Sequence, residues 1–163
     1  MLADHLVSLL DALPDWLVVL IISMMPFIEL RGAIPVALGY YDMPLLAAFV
    51  LCVVGNMIPV PFILLIFEKV EKFLRRWKFW NRFFDRLFDR TVRRASEKVE
   101  KYQELGIITF VAIPLPGTGA WTGALIAYLF GLDMWKSFWV ITLGVLIAGI
   151  LVTMLTVGAI GIF

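Results

Sequence analysis

The chain has 163 residues, 62% of them hydrophobic, and its 14 Lys and Arg against 13 Asp and Glu leave a net charge of +1. Apolar runs approach or exceed the roughly 20 residues that cross a bilayer, which excludes an ordinary soluble domain. One Cys, Cys52, and one His, His5, exclude a disulfide framework or a Cys/His metal centre within one chain.

Residues 1–15 carry Asp4, Asp11 and Asp15 and no Lys or Arg. A cleavable signal needs a positive start, so the first apolar segment is expected to be retained. That segment runs from Trp16 to Tyr41 but is not uniform. Trp16 to Met25 is ten residues, about 15 Å of helix and roughly half of a 30 Å hydrocarbon core. Pro26 disfavours helix at Met25. Then come Glu29, Arg31 and Gly32, and a second short apolar run from Ala33 to Tyr41. After a turn at Asp42-Met43-Pro44, the run from Leu45 to Phe67 is long enough to cross completely, with Asn56 between Gly55 and Pro59.

The near-neutral balance conceals a segregation. Between Glu68 and Glu104 lie twelve basic and seven acidic residues, a net +5, while the rest of the chain has two basic and six acidic, a net −4. The positive-inside rule makes that block cytoplasmic. Apolar residues recur through it at helical spacing, from Val70, Phe73 and Trp77 to Val99 and Tyr102, and Arg82, Arg86, Arg90 and Arg94 form a stripe. This predicts an amphipathic helix on the inner membrane surface, its arginines on anionic lipid headgroups or simply capping the bundle. Aromatic stripes of this kind bury against lipid or protein, so nucleic acid is not an expected partner.

The second half repeats the plan: an apolar tract from Leu105 to Leu132 broken at Pro114-Leu115-Pro116-Gly117-Thr118-Gly119, a turn at Asp133-Met134, and a long tract from Trp135 to Phe163. Gly39 to Pro44 resembles Gly131 to Trp135 about 90 residues on. Each broken tract is either one kinked full-length helix or a re-entrant hairpin that returns to the side it entered. The expected fold is all-α and integral to the membrane. It has two re-entrant helical hairpins plus two full transmembrane helices as an inverted repeat, and a central amphipathic cytoplasmic helix. One membrane domain is expected, with repeats at 16–67 and 105–163 and the basic helix at 68–104, in a multi-pass protein of the inner (plasma) membrane.

Charge at mid-membrane reads as a site. Glu29 and Arg31 stand two apart, so a regular helix would point them in different directions, whereas a non-helical break lets them converge. They can be an internal ion pair that pins the hairpin tip. Alternatively, Glu29 titrates a proton or binds a cation and Arg31 holds an anion. Half-helices starting near Ala33 and Ala120 would aim free amides at the midplane, favouring a phosphate or carboxylate. Gly32, Thr118, Gly119 and Asn56 are the further candidate binding residues, with close packing of helices as the alternative role for the glycines. Asp42 and Asp133 suit helix caps. The spacings Gly119 to Gly123 and Gly144 to Ala148 suit close helix approach, and a bundle of two hairpins and two spans is thin for enclosing a polar site, so a homodimer is expected.

Glu29-Leu30-Arg31-Gly32-Ala33-Ile34-Pro35 and Pro114-Leu115-Pro116-Gly117-Thr118-Gly119-Ala120-Trp121 resemble the two signatures of the small multidrug export protein family. Chain length and the central charged segment agree, so the resemblance covers essentially the whole chain. That family is similar to the larger DedA and VTT superfamily. The likeness implies two facing re-entrant hairpins and a role in flipping phosphate-bearing lipid carriers or scrambling lipids. The superfamily's Arg soon after the second Pro-Gly turn is missing, and that stretch holds Thr118 and Thr122.

Three functions compete. One is a proton-coupled transporter or flippase moving an amphipathic anion, such as a lipid-linked phosphate, through a midplane site between the two tips. Another is proton-coupled efflux of lipophilic cations, and the last is a non-transporting, lipid-shaping protein. An enzyme is not expected, since no Ser, His and Asp set, second mid-membrane carboxylate or metal cluster is available. No cofactor is implied.

Overall fold

The computed structural model describes residues 13–74, 76, 97–115 and 117–161. Every regular element among them is helical: α1 (Asp15–Met24), α2 (Glu29–Gly39), α3 (Leu45–Met57), α4 (Pro59–Leu74), α5 (Glu97–Ala112), α6 (Ala120–Leu129) and α7 (Met134–Ile160). Two stretches are long and apolar enough to cross a membrane, Leu45–Ile66 and Met134–Ile160, with mean hydropathies of 2.5 and 2.6. Leu45–Ile66 contains a turn at Ile58, where Pro59 has no N–H to donate to the carbonyl of Gly55. Arg82, Arg86, Arg90 and Arg94, and Pro116 in the second break, lie outside the described residues. The expected segment boundaries at 67/68 and 104/105 fall inside α4 and α5, because the charged flanks continue the apolar helices without interruption.

The chain divides into two compact units. One comprises Met1–Asn56 and Ala148–Phe163. In it α1 and α2 pack against each other. Their core is apolar: Val18, Val19, Leu30, Ile34 and Ala37 are buried, as are Ala48 and Cys52 on α3. The end of α7 joins this unit where Gly149 meets the ring of Phe49 and Ile160 lies against Gly39.

The other unit is Met57–Ile147. Here α6 packs on both α4 and α5. Its buried face is Ala120, Gly123, Ala124 and Ala127, small side chains at helical spacing that let neighbouring backbones come close. Asp133 Oδ1 accepts from the amides of Trp135 and Lys136 at 3.0 and 3.1 Å, the N-cap of α7 that its position suggests. Asp42 does not act this way: its φ of +48° turns the chain after α2, where the Met43 amide donates to the carbonyl of Ala37.

One contact recurs in both units. A side chain on Gly55 would run into Ser23 Oγ and lie 2.9 Å from the Leu20 carbonyl. On Gly144 it would lie 3.0 Å from the Ile108 carbonyl and 2.7 Å from Val111 Cβ. Leu20 and Ser23 precede Pro26 by six and three residues, as Ile108 and Val111 precede Pro114. Each half thus sets the end of one helix, just before its proline, into a glycine notch on a later one.

Candidate functional site

The first break begins where Pro26 forces Met25 out of the helix, to φ −69° and ψ 135°. The chain turns through residues 26–28, and the Glu29 amide donates back to the Met25 carbonyl. Helix resumes at Glu29 itself, four residues before the expected start at Ala33, so both charges lie in the first turn of α2. A regular helical turn would separate their side chains. Glu29 has a φ of +52°, and this single left-handed residue swings its carboxylate toward Arg31. Arg31 Nη1 donates to Glu29 Oε2 at 2.6 Å.

The pair is shielded. Glu29 is 3% exposed, while the Arg31 side chain keeps 16%. Its charges cancel, which is how apolar surroundings tolerate them. Glu29 also sits at the positive end of the α2 dipole, a second favourable term for the carboxylate. Gly32 is closely packed, since a Cβ there would run into Ile28 Cγ2. Asn56 is 1% exposed on α3, next to the glycine that holds the end of α1. Its Oδ1 is buried with no hydrogen-bond partner among the described residues.

The second break is built differently. Gly117 takes the left-handed turn, φ +82°. Thr118 Oγ1 donates to the carbonyls of Ile113 and Leu115 at 2.7 and 2.8 Å, so the hydroxyl proton holds the loop's own backbone. Buried Gly119 is the N-cap of α6 in extended conformation. Pro114 and Gly117 follow Pro26 and Glu29 by 88 residues. Glycines therefore stand at 117 and 119 where the first break has Glu29 and Arg31.

Residues 29–151, about three quarters of the chain, match the family described as "Putative small multi-drug export protein". The chain belongs to that family. With the two apolar helices, this makes it a membrane protein, and the family description places it among exporters at a coarse level. No curated protein and no solved structure matches the chain. The family match begins at Glu29, the first residue of the charged pair.

Sequence reasoning missed Ser23, and it named Gly55 only as a neighbour of Asn56. Ser23 is fully buried and donates to the Leu20 carbonyl at 2.8 Å. A small polar residue three before a proline in an apolar run was the available signal. Gly123 and Gly144, expected to let helices approach closely, are the points where Val111 and its neighbours come up against α6 and α7.

Proposed function

We infer that this family member is a proton-coupled transporter of amphipathic anions, and that Glu29 and Arg31 form the exchange site. The observation that carries this is the shielded ion pair itself. With Glu29 ionised, its carboxylate occupies the guanidinium. Once Glu29 takes up a proton, Arg31 loses that negative charge beside it, and a phosphate or carboxylate headgroup matches its fork. One proton and one negative charge then move together, so no net charge crosses the apolar layer. Asn56, whose amide also carries two donors, is assigned to the headgroup. Gly32 is assigned to helix packing, and Thr118 and Gly119 to closing their own loop.

The reading places α1–α2 as a re-entrant hairpin. Two contacts support it: Ser23 meets Gly55, the middle of the Leu45–Ile66 stretch, and Gly39 at the far end of α2 meets Ile160, the last residue of α7. A pair that runs from mid-depth to one edge is what a half-length hairpin requires. Localisation in the inner membrane with the basic block cytoplasmic follows from the charge segregation. A lipid-linked phosphate is a substrate of the right chemistry, in keeping with the likeness to the DedA and VTT superfamily.

The family description favours a second reading, in which a lipophilic cation displaces Arg31 from Glu29. Arg31→Gln separates the two. In proteoliposomes with an imposed pH gradient, uptake of a single-tailed alkyl phosphate should fall by about a hundredfold, the loss of a buried charge-assisted contact. Glu29→Gln should transport the same probe without responding to the gradient. Alkyl phosphate uptake that survives Arg31→Gln rejects the anion reading. Efflux of a lipophilic cation retained or improved in that variant would establish the cation reading.

A further inference from the structure

Glu104 and Lys136 stand on either side of the apolar tract from Leu105 to Leu132. A tract that crossed the bilayer would hold them about 30 Å apart. Instead, Lys136 Nζ lies 3.3 Å from Glu104 Oε1, which fits a pair of helices returning to the face it left. Tyr102, Trp135 and Trp139, each within three residues of one partner or the other, keep their rings exposed. Rings of this amphipathic kind collect at the headgroup level of a bilayer. At that level lies a polar pocket of about 400 Å³, lined by Gln103 and Glu104 of α5, by Gly131 and Asp133 in the turn after α6, and by Lys136 of α7.

Charge defines the guest. The two carboxylates, with the negative end of the α6 dipole beside them, outweigh the single ammonium. Asp133 Oδ1 already accepts both α7 amides, so Oδ2 is the oxygen it has to spare. The Glu104–Lys136 pair is solvated, its side chains 48% and 63% exposed. Such a pair holds itself together weakly and can open to a guest that carries both charges. We propose that this pocket seats the phosphoethanolamine headgroup of a membrane phospholipid, its ammonium on Glu104 and Asp133 and its phosphate on Lys136. A primary ammonium brings three N–H donors to the carboxylate oxygens. A choline headgroup has the same charges and none of those donors, and an anionic headgroup brings a charge that the two carboxylates repel. The site stands apart from the Glu29–Arg31 reading and does not depend on it.

The experiment is native mass spectrometry of the full chain in detergent with an equimolar pair of phospholipids, one with an ethanolamine and one with a choline headgroup, of identical acyl chains. Neither lipid has a net charge, so the basic block between Glu68 and Glu104 does not sort them. The expected wild-type result is a preference of about tenfold for the ethanolamine lipid, the worth of one hydrogen bond to a charged group. Glu104→Gln should lose most of that preference. Lys136→Gln should bind both lipids more weakly, and Lys136→Arg should bind as the wild type does. Equal binding of the two lipids by the wild type, or an unchanged preference in Glu104→Gln, overturns the proposal. So does displacement of the lipid by equimolar glycerophosphoethanolamine, which would give the pocket to a free phosphodiester; a lipid site keeps its lipid. None of these readouts measures transport, so failure here leaves the exchange site untouched.

Discussion

Glu29 holds a backbone conformation that costs an ordinary residue about 1 kcal/mol or more and costs glycine almost nothing. The second break uses Gly117 at the same step after its proline, and Gly119 in place of Arg31. The first break therefore keeps two charged side chains where the turn needs neither. A double-mutant cycle tests that separation of roles. Glu29→Gly relieves the backbone but removes the carboxylate beside Arg31, and should lower unfolding stability in detergent by about 3 kcal/mol, the low end for breaking a buried pair because Arg31 retains some exposure. Arg31→Gly should lose a similar amount. The double variant should return close to wild-type stability, as two glycines serve the second break, while losing alkyl phosphate transport. A double variant as unstable as either single one would make the pair structural. The sequence pointed to both residues, and it identified convergence as the condition for a site. It did not reveal that one left-handed residue inside a helical turn achieves this. The repeat was aligned on Gly39 and Gly131, yet Gly39 is an ordinary helical residue and Gly131 a left-handed one.

Between elements, the informative feature is the glycine notch that recurs in both units. Where a Cβ would stand on Gly55 a backbone carbonyl lies 2.9 Å away, and on Gly144 Val111 Cβ lies at 2.7 Å and a backbone carbonyl at 3.0 Å. Carbonyls of a packed helix cannot rotate aside, so alanine at either position must push the two helices apart. Gly55→Ala and Gly144→Ala should each destabilise the protein by about 1–3 kcal/mol, the range for overpacking. Gly106 lies in the interior of α5 with nothing within 4 Å, and Gly106→Ala should stabilise by about 1 kcal/mol through helix propensity. Thermal unfolding of the three variants in one detergent checks the contrast, which a general dislike of alanine would not produce. Half-length helices were legible because proline spacing and the 1.5 Å rise fix their reach. Their partners were not, since any small residue in an apolar tract offers a notch, and only the fold selects which one is used. The charged flanks likewise hid that α4 and α5 run on through Glu68 and Glu104, as solubility changes along a helix without breaking its hydrogen bonds.

At the scale of the whole molecule, the hairpin and the kinked-span readings differ in where the two ends of α1–α2 emerge. A hairpin returns both ends to one face, whereas a kinked span puts them on opposite faces. Asp15 opens α1 and Tyr40 follows α2, and both are exposed. Arg76, also exposed, belongs to the basic block beyond α4. Cys52 is fully buried, so the native thiol stays silent and single engineered cysteines can be read against it. With a membrane-impermeant maleimide on intact cells, Asp15→Cys and Tyr40→Cys should both be labelled, and Arg76→Cys only after permeabilisation. Labelling of Tyr40→Cys without Asp15→Cys, or the reverse, would reject the re-entrant arrangement and restore four full crossings. Labelling of all three in intact cells would instead reject the cytoplasmic basic block, because twelve Lys and Arg confined to one segment are the strongest orienting feature of the chain. The two outcomes are separable because the first compares the ends of one helix pair with each other, while the second fixes which face they share.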